Sequence, residues 1–180
     1  MSVIVSIIGS SGRDNTITAA MFDDAIMNVI TCMKQMGVNM EDTILQSGGS
    51  SFIDHISIIL FLAMPNKFKG LNIYLPCKFL FDLEVPQFDP NNKYGYVLNN
   101  LHIEFSKIIG RNTFQDFVNI SKLENVNIYY GKSFLTRNTD VAKCDYMIAV
   151  TRSKTDKPND GGTRDCWNKC LHNNKIHIPL

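Results

Sequence analysis

No C-x-x-C pair occurs among the five cysteines of this 180-residue sequence, Cys32, Cys77, Cys144, Cys166 and Cys170. Cys166 and Cys170 stand four apart with no second ligand pair, so a zinc site is not expected, nor is any other metal or cofactor. A chain of this length buries roughly 70% of its unfolded surface on folding, so it needs no disulfide framework, and a reducing cytoplasm fits the odd cysteine count. Charge of one sign is not in excess either: 18 Lys and Arg face 17 Asp and Glu, for a formal net charge of +1. That balance gives no whole-chain drive toward nucleic acid or anionic lipid, so any affinity for polyanions must be local. The longest apolar run, Ile56 to Met64, is about half of what a membrane helix needs. Residues 3 to 8 have no basic segment before them and run into glycine, so they read as a buried strand and not as a secretory leader. Neither G-x-x-x-x-G-K-[ST] nor G-x-G-x-x-G is present, which removes the P-loop NTPases and the standard dinucleotide site. No internal repeat or linker divides the chain, so residues 1–180 read as one domain.

What is present is a strand, a glycine turn and a helix, repeated. Residues 3 to 8 (VIVSII) form a β-branched run without polar alternation, the pattern of a strand buried on both faces of a parallel sheet. Apolar residues from Met21 to Met36 then recur at three and four, predicting a helix from about Thr16, capped by Asp14, Asn15 or Thr16 and ended by Gly37. Thr43 to Gln46 predicts a second strand and Ser51 to Met64 a second helix stopped by Pro65; Leu71 to Leu75 predicts a third strand. Prolines and Asn91-Asn92 mark an irregular excursion over about 79–96. A helical period from Leu98 to about Leu123 follows, broken near Gly110. Val126 to Tyr130, Tyr146 to Val150 and Ile176 to Ile178 complete the strands, with a helix from Gly161 to about His172 before the last. Alternation of this kind predicts an α/β fold, a Rossmann-like three-layer sandwich whose mostly parallel sheet carries helices on both faces.

In such a sheet, ligands bind beyond the carboxyl ends of the strands, where amides of glycine turns and helix N-termini share a crevice. Three turns qualify: Gly9-Ser10-Ser11-Gly12-Arg13, Ser47-Gly48-Gly49-Ser50 and Gly161-Gly162-Thr163. Glycine allows close approach to a phosphate and positive φ, and Ser or Thr adds a hydroxyl donor. Arg13 can fork onto a phosphate, or serve only as a solvated residue near a helix start. Asp54 also has two readings. By spacing, Ser51-x-x-Asp54 is a capping box; alternatively its carboxylate accepts from a ribose hydroxyl. Trp167 and Phe134 are of the type that stacks on a nucleobase, though lone aromatics more often fill a core. His55, on an apolar helix, reads as packed and not as a base, and Cys166 has no histidine partner to make it a nucleophile.

With these turns in this order, the chain resembles the SLOG superfamily of nucleotide-binding domains, which includes the LOG phosphoribohydrolases and the DNA-processing protein A fold. Ile7 to Arg13 is similar to the opening strand and turn of that superfamily, and Leu45 to Asp54 resembles its second turn, typically S-G-G-x-x-G-x-D. Asp145 to Val150, followed by Gly161 to Lys169, resembles the late strand and G-G-T helix start, and Phe134 with Arg137-Asn138 lies where polar contacts occur. Two departures stand out. Phe52 stands in the neighbourhood of the third glycine of the second turn, and Cys166 falls where the catalytic glutamate of P-G-G-x-G-T-x-x-E would be. Asp165 is one residue away, about 100° around the helix.

The resemblance implies a protein that binds a nucleotide or nucleotide-derived ligand through the three turns, with Arg13, Arg137 and Asn138 as polar contacts. An alternative is an N-glycosidic hydrolase or transferase acting on a nucleoside monophosphate, with Asp54 and Asp165 as the acids that stabilise an oxocarbenium-like centre. A third is a DNA- or protein-binding scaffold; the balanced charge argues against DNA. The resemblance also implies a homodimer. No membrane partner is expected.

Overall fold

The computed structural model describes residues 2–13, 16–131, 133–159 and 161–180. The predicted opening strand forms as β1 (Val3–Gly9), and the helix after it is α1 (Ala19–Gln35). That helix starts three residues later than the apolar pattern indicated because Thr18 is its N-cap, its side chain accepting from the Met21 amide. Asp14 and Asn15, also candidates for that cap, lie outside the described residues. β2 (Thr43–Ser47) leads through a 3₁₀ turn (Phe52–His55) into α2 (Ile56–Ala63), and β3 (Gly70–Leu75) follows.

The stretch read as irregular holds more order than its prolines suggest. β4 (Phe79–Leu80) and β5 (Gln87–Phe88) pair antiparallel. Asn99 then stands in for a strand beside β5: its Oδ1 accepts from the Phe88 amide and its Nδ2 donates to the Phe88 carbonyl, each at 2.9 Å. α3 (Lys93–Ile109) begins inside the excursion, five residues before the expected Leu98, with Asn92 as N-cap. Gly95 masks this start in the sequence, yet any side chain there would collide with the Asp89 carbonyl. Gly110, at φ +62°, breaks the helical period as expected, and α4 (Thr113–Ile120) restarts it. The remaining elements are β6 (Val126–Tyr130), α5 (Phe134–Val141), β7 (Tyr146–Thr151), α6 (Gly161–Lys169) and β8 (Lys175–Pro179). α5 was not legible, since its eight residues mix β-branched and polar side chains without an apolar stripe.

The six main strands form one all-parallel sheet in the order β6-β3-β2-β1-β7-β8. Side chains alternate across it, which makes three layers. Val5, Ile7, Leu45, Leu71, Ile73, Ile148 and Val150 pack under α1 to α4, and Ile8, Met147 and Ala149 pack under α5 and α6 on the opposite face. Two polar strand residues fix α5. Ser6 Oγ donates to the Val141 carbonyl at 2.7 Å and Gln46 Nε2 donates to the same carbonyl at 3.0 Å, both buried. Strand order reverses between β1 and β7, and at such a switch point the flanking connections diverge and leave a crevice at the carboxyl ends. Among the described residues, no helix is long and apolar enough to cross a membrane.

Candidate functional site

At that switch point lies a pocket of about 720 Å³. All three glycine turns reach it. Gly9, Ser10, Ser11 and Arg13 come from the end of β1, Gly48 and Ser50 from the end of β2, and Gly161, Gly162 and Thr163 from the first turn of α6. α5 supplies Phe134, Arg137 and Asn138 to the wall between them, and Asp54 also lines it.

Local contacts explain why the sequence folds this way. Any side chain at Gly9 would collide with the Val150 carbonyl and Ile53, so β1 and β7 can lie this close only with glycine there. The Ser10 amide donates to the Val150 carbonyl at 3.1 Å, and the Thr163 hydroxyl donates to the Gly9 carbonyl at 2.8 Å, pinning the start of α6 to the end of β1. The Ser51 hydroxyl donates to the Ser11 carbonyl at 2.6 Å, joining the first turn to the second.

The second turn is engaged by the protein itself. The Gly49 amide donates to Ser47 Oγ at 3.5 Å and the Ser50 amide to Asp54 Oδ2 at 3.3 Å. The Gly48 carbonyl accepts from Arg137 Nη1, and Arg137 Nη2 stands 3.6 Å from Asp54 Oδ2. Arg137 also lies over the Phe134 ring, 5.2 Å from its centroid, which commits one face of that ring. Burial pushes the Asp54 carboxyl above its ordinary range, while Arg137 and the Ser50 amide pull it back.

Behind this turn lies a support that sequence reasoning missed. His102 Nε2 is 3.2 Å from the Gly49 carbonyl, which can only accept, so Nε2 carries the proton and Nδ1 accepts from the Thr113 hydroxyl at 3.0 Å. His55, expected to be packed, is fully buried with Nε2 2.9 Å from Asp116 Oδ2, and Arg111 Nη2 donates to the other oxygen at 2.7 Å. Burial lowers the affinity of both imidazoles for a proton, in His102 to a pKa of about 3. No local motif links residues 49, 102 and 113, so only the folded chain reveals the arrangement.

No protein-family model matches the chain. It is similar to a protein of Acanthamoeba polyphaga mimivirus described as "Uncharacterized protein R261", with 36% identity over 187 residues that cover 98% of this chain and 95% of the relative. The chain belongs to the family of that viral protein. Because the match spans nearly the whole of both chains, the pocket-forming segments of this family member lie within it.

Not every residue expected at the site of this family member reaches the pocket wall. Gly12, Ser47 and Gly49 shape the turns from behind: Gly12 and Gly49 sit at φ +70° and +66°, and Ser47 is buried under its own turn. Asp165 also stands back. Its Oδ2 accepts from Lys169 Nζ at 2.8 Å and from Asn138 Nδ2 at 3.0 Å. Partial burial opposes these bonds, but they hold its carboxyl below the ordinary range. Cys166 does face the pocket, with burial raising its thiol far above the ordinary value. Trp167 packs with the residues beneath α5 and α6, under Lys175, and takes no part in the wall. Missed in the sequence were Thr151, Ser153 and Asn159 in the loop after β7, where the Ser153 hydroxyl donates to the Lys157 carbonyl at 2.9 Å and folds the loop over the rim. Their position directly after a buried strand was the available signal.

Proposed function

We propose that the protein binds a nucleotide or nucleotide-derived ligand in this pocket, as a SLOG-like sensor or binding protein. The observation that supports it is the meeting of the first turn with the first turn of α6, where helix amides and Arg13 border one hollow. The anionic end of the ligand fits best beside Arg13 and the first turn of α6, because the amides of Gly49 and Ser50 in the second turn, like those of Ser10 and Gly12 in the first, already have acceptors. The buried free cysteines fit a reducing compartment, and we assign the protein to the cytoplasm on that ground. The test is thermal unfolding with adenosine and guanosine mono- and diphosphates and cyclic mononucleotides. A nucleotide at 100 times its dissociation constant adds about 2.7 kcal/mol and raises the midpoint. An unchanged midpoint across the panel overturns the proposal.

A second reading is an N-glycosidic hydrolase on a nucleoside monophosphate. It is favoured by Asp54, a buried carboxylate in the pocket wall. Release of free base from a bound monophosphate, lost in Asp54→Asn, supports it; binding without release supports the sensor.

A further inference from the structure

At the opposite end of the sheet, two thiols meet. Cys144 lies in the short link between α5 and β7, and Cys170 is the first residue after α6; their sulfurs are 3.8 Å apart and both side chains are buried. We propose that Cys144 and Cys170 form an oxidant-sensitive dithiol that hydrogen peroxide closes to an intramolecular disulfide.

A disulfide needs the sulfurs about 1.8 Å closer, near 2.05 Å. Neither cysteine sits inside a strand or helix, so that approach moves connecting segments and leaves the sheet ladder intact. A route for the oxidant exists. A cavity of about 290 Å³ at the amino ends of β1 and β7 is lined by Cys144, with Ile4, Ala142, Asp145 and Leu171 among its neighbours; Cys170 is not in its lining. Cys144 is therefore the thiol that peroxide meets first, and Cys170 the one behind it. Of the remaining cysteines, Cys32 and Cys77 pack on the other face of the sheet, and Cys166, which packs with Cys144 and Cys170, turns its thiol to the Asn138 carbonyl at 3.6 Å.

The Cys144 thiolate attacks one peroxide oxygen, the O–O bond breaks, and hydroxide leaves, giving a sulfenic acid. The Cys170 thiolate then attacks that sulfur, the S–O bond breaks, and the departing hydroxide takes up a proton. Two thiols and one peroxide become one disulfide and two waters, each sulfur losing one electron and the peroxide gaining two. Burial pushes the Cys144 thiol up from its ordinary value, which slows the first step, so exposure should run for hours.

The test uses the reduced, folded full chain, exposed to hydrogen peroxide and then unfolded and alkylated. The expected product is lighter by two hydrogens before alkylation, carries alkyl groups on three of its five cysteines, and yields a peptide pair joined through Cys144 and Cys170. In Cys170→Ser, dimedone should trap a sulfenic acid on Cys144; in Cys144→Ser, it should trap none. Five alkylated cysteines after exposure, a bond through any other cysteine, or a dimedone adduct on Cys170 overturns the proposal.

Discussion

Phe52 holds a left-handed backbone at φ +60° while its ring is fully buried between Phe22 and Phe105. The backbone therefore holds a conformation that favours glycine while it carries a bulky side chain there. Removing a buried phenyl group costs about 3 to 5 kcal/mol. In Phe52→Ala that loss adds to a retained left-handed strain of about 1 to 2 kcal/mol. In Phe52→Gly the strain is released, set against the greater freedom of glycine in the unfolded chain, about 0.5 to 1 kcal/mol. Glycine should therefore be the less damaging replacement, by about 0.75 kcal/mol at the middle of these ranges. Phe22 supplies the control, because its ring lies 6.0 Å from that of Phe52 but its backbone is helical. There alanine should be better than glycine by about 1 kcal/mol. Equilibrium unfolding in urea, comparing the two substitutions at each position, reads these differences directly. If Phe52→Gly unfolds at the same or a lower urea concentration than Phe52→Ala, the left-handed assignment is wrong.

The histidines behind the second turn set a pH dependence. In the fold His102 titrates near 3 and His55 is also lowered, while both bind protons near 6.5 once unfolded. Their contribution is complete above about pH 6.5 and is lost as the pH falls below it, at up to about 1.4 kcal/mol per pH unit for each. Asp54, raised by burial, works in the opposite sense as the pH rises through its folded value, so the urea midpoint at pH ~5 tests which prevails, and a drop relative to pH ~7.5 is expected. Arg13→Ala should weaken binding of whichever nucleotide the unfolding panel identifies by about 1.5 to 3 kcal/mol, measured by calorimetry, if Arg13 makes a charged hydrogen bond to phosphate. Gly9→Ala should unfold at a much lower denaturant concentration than the native chain, since the added methyl meets the Val150 carbonyl and Ile53 together. Closing the Cys144–Cys170 bond, whose ends stand 26 positions apart, should raise stability by at most about 3.5 kcal/mol and lift the melting temperature by several degrees.

The parts of this fold written locally were legible, and the parts written across the chain were not. β1, β2, β3 and β7 announce themselves as apolar runs because each lies inside the parallel sheet, whereas β6, at its edge, keeps Asn127, Tyr129 and Tyr130 exposed and shows through its β-branched and aromatic residues. The three glycine turns were visible because glycine is favoured where the backbone packs against a neighbouring carbonyl, as at Gly9, or turns through positive φ, as at Gly12, Gly49 and Gly161. α5 was hidden. Its sequence, FLTRNTDV, spends its residues on the pocket wall and on holding α6 through Asn138, leaving few for an apolar stripe. Hidden too was the division of labour among the turns, because Arg137 reaches Gly48 across 89 positions and His102 reaches Gly49 across 53.

That division is what the pocket chemistry rests on. A glycine turn can offer amides to a ligand only while those amides have no better partner, and an amide facing a buried carboxylate already has one. In the second turn the Ser50 amide faces Asp54, and Arg137 brings a guanidinium to the same carboxylate, so charge there is balanced inside the protein. The first turn of α6 differs. It is tied to the sheet by the Thr163 hydroxyl, and Gly161, Gly162 and Thr163 line the pocket, so the positive end of the helix dipole borders it. Under the proposed reading, an anion entering the hollow therefore gains more beside Gly161 to Thr163 and Arg13 than beside Gly48 to Ser50, and the second turn would serve as the wall against the uncharged part of the ligand.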